Sequence, residues 1–181
     1  MLACCLTCSR HNAPVESMMD IFKNTTSLAG NSGYLNTPYV TAGDRLYMVG
    51  HQDGTFPDIG WHIDGEMGGI WDHPIKLMDG FSIAIVEDES TTCLINAKKF
   101  INFPIGNQHV FDLAEQNLRI TRTQFVPDGI EGIIMELKSE NQTNIDRALN
   151  IIFNGMIDLR PTWLADSLNI KARAGVLVAS L

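Results

Sequence analysis

Basic residues are scarce in this chain: 13 Lys and Arg stand against 21 Asp and Glu, a net charge of −8. A nucleic-acid partner requires a basic face that displaces counterions, so the balance argues against that class, and equally against an anionic membrane surface. Neutral ligands such as saccharides are compatible with it. No run of about 18 apolar residues occurs, so nothing reads as a membrane-spanning helix. Cysteine is too unevenly placed for a disulfide framework: of 4 in the chain, Cys4, Cys5 and Cys8 crowd the N-terminus and Cys93 stands alone. Cys5 and Cys8 have C-x-x-C spacing, which without a second pair is weak support for zinc or redox chemistry.

The opening "MLACCLTCSR" lacks the basic start and the full apolar segment of a signal peptide. Two readings stay open: a short terminus, or the tail of a secretory leader in which Ala3-Cys4 is similar to a lipoprotein cleavage site. The second would place the protein in the periplasm or at the outer surface, lipid-anchored in the limiting case. The first leaves the cytoplasm open.

What is present is ordinary globular material, 45% hydrophobic and 19% charged over 181 residues, enough for one domain with a sizeable core. Residues 1–40 read as a leader and connector. Pro14, Val15, Met18, Met19 and Phe22 have the spacing of a short helix, and "NTTSLAGNSGYLNTP" is polar and Gly-rich. Residues 41–181 read as a β-domain; the apolar run "GVLVASL" has no polar cap after it, so either it continues into a longer protein, the favoured expectation, or Val176 to Leu181 pairs inside the sheet and ends there.

Period-two alternation carries that β-domain. In "FSIAIV" Phe81, Ile83 and Ile85 share a face; in "GIIMELK" Ile133, Met135 and Leu137 do; in "RALNIIFN" Leu149, Ile151 and Phe153 do. Such alternation is what a sheet with one buried and one wet face requires. "NLRITRTQFV" reads as a polar-faced strand. "VPDGIEG" between two alternating runs is a hairpin signal, since glycine supplies the positive φ of a tight turn. No stretch is long and periodic enough for a crossover helix, so a parallel α/β sheet is disfavoured and an antiparallel β-sandwich is expected.

The stretch "GWHIDGEMGGIWDHPIKLMDGF" (Gly60 to Phe81) mixes two Trp, two His, several acids and five Gly. Indole faces suit the C–H faces of sugars, and Asp, Glu and His suit their hydroxyls. Trp61, His62, Asp64, Glu66, Trp71, Asp72, His73 and Lys76 are therefore candidates for contact with carbohydrate or a neighbouring domain. Arg160 and Trp163 of "DLRPTW" join them. The competing reading makes the Trp residues core anchors at a sheet end and makes Arg160 a strand-end partner of Asp158.

Other chemistries are less specific. His51 with Asp53, His62 with Asp64, and Asp72 with His73 could seat a metal ion. No three-ligand spacing emerges, and neither a metal nor a cofactor is assigned. Asp53, Asp58, Asp64, Glu66, Asp72 and Asp79 supply carboxylates for glycoside hydrolysis, yet sequence spacing cannot set two of them across a sugar ring. No catalytic residue is assigned.

The segments "GDRLYMVGHQDGTFPDIGWHIDGEMGGIWDHPIKLMDGF", "LRITRTQFVPDGIEGIIMELK" and "LNIIFNGMIDLRPTWL", in that order, resemble the N-terminal domain of bacterial glycogen-debranching-like and α-glucosidase-like glycoside hydrolases. The resemblance runs from Gly43 to Leu181. It implies a β-supersandwich of the kind also seen in sugar mutarotases, placed before an (α/α)6 barrel that holds the catalytic carboxylates. These 181 residues contain no helical repeat that could form such a barrel. The resemblance thus implies a non-catalytic domain acting beside a barrel on α-glucan, with Gly68 to Asp79 toward the barrel or the saccharide. Two alternatives remain. One is a free-standing carbohydrate-binding or mutarotase-like domain, with His51, His62, His73 and Glu66 as acid–base candidates. The other is a metal-dependent β-fold enzyme.

Overall fold

A computed structural model describes residues 2–5, 17, 19–60, 65–163 and 172–180, the stretches 2–5 and 172–180 by the course of their backbone. The chain is an antiparallel β-sandwich, as its alternation leads one to expect. Strand β1 is Leu2–Cys5, and helix α1 is a single turn, Met19–Phe22. Then come β2 (Leu28–Ala29), β3 (Pro38–Ala42), β4 (Tyr47–His51), β5 (Gly69–Asp72), β6 (Ile75–Glu87) and β7 (Ser90–Cys93). Strands β8 (Lys99–Phe103), β9 (Gly106–Leu113), β10 (Leu118–Phe125), β11 (Ile133–Asn141), β12 (Asn150–Pro161) and β13 (Ala172–Ser180) complete it.

One sheet has the order β1-β11-β10-β9-β8-β2, and the other β13-β12-β6-β5-β4-β3 with β7 beside β6. Only β1 on β11 runs parallel among these pairings. Cross-strand register puts like with like on the inner face: Leu118 opposite Leu113 and Ile120 opposite Phe111 in the first sheet, Ile151 opposite Ile85 and Phe153 opposite Ile83 in the second. Together with Phe81, Ile133 and Met135 these side chains form one core between the sheets. Burying each aliphatic or aromatic chain contributes roughly 1.5–3 kcal/mol against leaving it wet.

The described part of residues 1–40 is more integrated than its polar, Gly-rich composition suggests. β1 extends β11, β2 extends β8, and Phe22 is buried against Phe103 with ring centroids 4.5 Å apart. A single ring, Phe22, packs against Phe103 and Phe125, which composition averaged over a window conceals. Of the expected helix, 19–22 is formed; Pro14, Val15 and Met18 lie outside the described residues.

The "VPDG" turn also does more than reverse the chain. Gly129 adopts φ +72, and its N–H donates to the Asp44 carboxylate at 2.7 Å. Asp44 N–H donates in return to Asp128 Oδ1 at 3.0 Å. This reciprocal clasp joins the β3–β4 turn of one sheet to the β10–β11 turn of the other. Charged acceptors strengthen such bonds, and exposure weakens them. Asp44→Ala is expected to cost about 1 kcal/mol, lowering Tm by about 2–4 °C, with Asp128→Ala adding little on top of it because the two residues share one clasp. Calorimetry on both single variants and the double variant checks this.

Candidate functional site

The Trp-rich stretch forms a corner at one end of the second sheet. Strand β5 turns through the cis His73–Pro74 bond into β6, and the end of β12 lies beside them, Arg160 opposite Lys76 and Pro161 opposite Ile75. Gly69 opens β5 with φ +95, and a side chain there would run into the Met78 carbonyl of the neighbouring strand.

Inside the corner sits an ion network. Lys76 is 1% exposed. Its ammonium donates to Gly65 O and to Asp79 Oδ1, each at 2.7 Å, and lies 3.4 Å from Asp158 Oδ2. Arg160 Nε donates to the same Asp158 oxygen at 2.8 Å, and its Nη2 donates to Gly65 O at 2.9 Å. Two cations and two carboxylates thus converge on one backbone carbonyl and pin the loop before β5 to the strands behind it. The indole of Trp71 closes this network: Lys76 Nζ is 5.6 Å from its ring centroid, Tyr47 stacks near-parallel on it, and its Nε1–H donates to Gly68 O at 2.9 Å.

This arrangement corrects two expectations. Trp71 is only 2% exposed, so it is a core anchor and offers no face to a sugar ring. Lys76 is likewise enclosed, because two acids and a carbonyl satisfy its three N–H groups. Within Gly68 to Asp79, the segment expected toward the barrel or the saccharide, the tip at His73, Pro74 and Ile75 is exposed. The Arg160–Asp158 pairing is present, as the strand-end alternative has it. Asp72 and Glu66 are half-buried. Trp61, His62 and Asp64 lie outside the described residues, as does Cys8. Cys93 is an exposed free thiol.

The outer surface of the corner is different in kind. Asp158 and Arg160 turn inward, so Leu159 turns outward and is 65% exposed; Trp163, just beyond the strand, is 71% exposed. Ile75 is 37% exposed beside Pro161, and Thr162 N–H donates to Pro74 O at 2.9 Å. Two large apolar side chains and an indole therefore stand on a backbone fixed from beneath by charges.

For metal chemistry, His51 and Asp53 do not converge on a third ligand. The Asp53 carboxylate accepts from Thr55 N–H at 2.9 Å and from its hydroxyl at 2.7 Å. Among the described residues no three His, Cys, Asp or Glu groups are placed to hold an ion. No helix among them is long and apolar enough to cross a membrane.

A second polar group lies between the sheets. The polar residues of "NLRITRTQFV" do not all face solvent: Arg122 and Gln124 point inward with Leu118 and Ile120, opposite His109 and Asn107 of β9. Arg122 packs between the rings of Phe81 and Phe111, 5.3 and 5.5 Å from their centroids, and its Nη2 donates to Gly54 O at 3.2 Å. Gly54 has φ +95, and a Cβ there would meet Phe111 at 2.7 Å, so only glycine brings its carbonyl to Arg122. Burial pushes the Tyr39 phenol up to about 12, so Tyr39 remains neutral and supplies no counter-charge. The alternate spacing of Asn107 with His109 and of Arg122 with Gln124 was the available signal, but polar alternation also describes a wet face.

Burial, reinforced by the nearby Arg122 charge, holds His109 well below the ordinary histidine value. Its folded form is neutral, whereas the unfolded form takes up a proton below about pH 6.5. The associated stability is complete above that pH and is lost as pH falls through it. From pH 7.5 to 5.5 the loss is about 1.4 kcal/mol. Guanidinium titrations at the two pH values check this, and His109→Gln should shrink the difference by about that amount.

Comparison with protein-family models, with curated proteins and with solved structures returns no match.

Proposed function

We propose that this chain is the non-catalytic β-sandwich domain of a glycoside hydrolase acting on α-glucan, and that it packs on an (α/α)6 catalytic barrel through the corner bearing Trp163. The observation that supports this reading is the pairing of an exposed indole and aliphatic patch with a rigid, ion-braced base. Exposed Trp and Leu clusters mark interaction sites, and a fixed backbone lowers the ordering cost of docking. The acids of the corner suit support more than catalysis, because Asp79 and Asp158 are both engaged by Lys76. A periplasmic or outer-surface location goes with this reading.

The test is association with a debranching-type barrel supplied as a separate polypeptide. Trp163→Asp should weaken the complex at least tenfold in calorimetric titration while leaving Tm within about 1 °C, since an exposed side chain carries little folding energy. Equal affinity of Trp163→Asp and the parent chain would overturn the docking surface. Maltoheptaose titration bears on sugar contact: quenching of Trp fluorescence that disappears in Trp163→Phe places sugar on this indole, and an unchanged spectrum at millimolar sugar removes it.

A further inference from the structure

Five buried side-chain atoms among the described residues have no partner within the protein: Asn102 Oδ1, Asn107 Oδ1, His109 Nδ1, Arg122 Nε and Gln124 Oε1. They are not scattered. Register places Asn102 opposite Asn107 and Asn107 opposite Gln124, with His109 opposite Arg122 in the adjacent row. Neighbouring strands are about 4.8 Å apart and alternate residues about 7 Å, so all five belong to one patch roughly 10 by 7 Å. An orphaned buried polar atom carries its full desolvation penalty, and native proteins hold few of them. Their concentration in one patch calls for a shared partner.

The chemistry of the five atoms limits what that partner is. Asn107 and Gln124 commit their N–H groups to Thr41 Oγ1 at 2.6 Å and to Tyr39 Oη at 2.7 Å, which leaves their oxygens as acceptors. His109 Nε2 faces His51 O at 3.4 Å; as the N–H of a neutral ring it leaves Nδ1 an acceptor too. With Asn102 Oδ1 there are four acceptors, against one charged donor, Arg122 Nε–H. An anion provides none of the four hydrogen bonds needed, and a metal cation would be repelled by the guanidinium. Two water molecules carry four O–H donors and have lone pairs left for Arg122. Buried waters make about three hydrogen bonds each, so two of them fit the five protein atoms, their four O–H groups going to the four acceptors and a lone pair to Arg122 Nε–H.

We propose that the polar patch between β3 and strands β8 to β10 is an internal hydration site, in which two ordered waters bridge Arg122 to His109, Gln124, Asn107 and Asn102. They solvate a guanidinium that donates to Gly54 O, packs between two aromatic rings and feels the Asp53 charge, and they couple the sheets at this end through water. This site is independent of the docking corner.

A crystal structure of the whole chain at high resolution, with a parallel bromide soak, tests it. Two density peaks within hydrogen-bond distance of these atoms, without anomalous signal, are expected. Oxygen-17 relaxation dispersion in solution should count about two fewer long-lived waters in Asn107→Leu/Gln124→Met than in the parent. Density at Arg122 with an anomalous bromide signal would overturn the proposal in favour of an anion site. Direct protein bonds to all five atoms would overturn it as well. Should the variant fail to fold, the parent crystal structure decides alone.

Discussion

Lys76→Met is expected to lower the unfolding free energy by about 3–5 kcal/mol, the range for removing one member of a buried ion pair. Methionine restores most of the volume, so cavity formation contributes little. The cost comes from the carboxylates left behind: Asp79 and Asp158 both lose the Lys76 ammonium, and Asp158 keeps its pairing with Arg160. Gly65 O likewise loses one of its two donors. Because the loss is one of charge pairing, Lys76→Met/Asp79→Asn should recover part of it, and a double-mutant cycle should report a coupling of about 1–3 kcal/mol. A cost below about 1 kcal/mol, measured by chemical denaturation, would show that the ammonium is solvated rather than enclosed.

Gly69→Ala is expected to cost about 3 kcal/mol or more. Two penalties act at once. A left-handed φ is unfavourable for any residue with a Cβ. The added methyl also meets the Met78 backbone carbonyl and approaches Lys76 Cε at 3.0 Å. Backbone cannot rotate away as a side-chain tip can, so β5 must shift against β6 and the ion network must shift with it. Gly129→Ala is the contrasting case: φ is +72, but nothing lies within 4 Å, so only the conformational penalty of about 1–2 kcal/mol applies. Equal effects at the two glycines in thermal denaturation would contradict the close approach of β5 and β6.

The strands were legible in the sequence because burial on one face leaves a period of two. Phe81, Ile83 and Ile85, and likewise Ile151 and Phe153, line the core as that period implies. The corner was legible only in part. Its composition marked it as unusual, and the Asp158–Arg160 pairing follows from two-residue spacing on a strand. The enclosure of Trp71 and Lys76 was not legible, since it depends on β12 arriving beside β6 from more than seventy residues away in the chain. The inward turn of Arg122 and Gln124 was hidden for another reason. A polar residue on the buried face and one on the wet face have the same period, and only the opposing sheet, with Tyr39, Thr41 and Gly54, distinguishes them. Trp163 stood out as an indole, and its exposure follows from Asp158 and Arg160 claiming the inner face.

We propose that the corner, charged within and apolar without, docks on the catalytic barrel. Hydrogen–deuterium exchange of the chain, with and without a debranching-type (α/α)6 barrel, tests that claim most directly. Added protection confined to the tip at His73–Lys76 and to the end of β12 from Leu159 to Trp163 is the predicted result. Protection at the opposite end of the sandwich, around the Asp44–Asp128 clasp, or no change anywhere under saturating barrel, would contradict it.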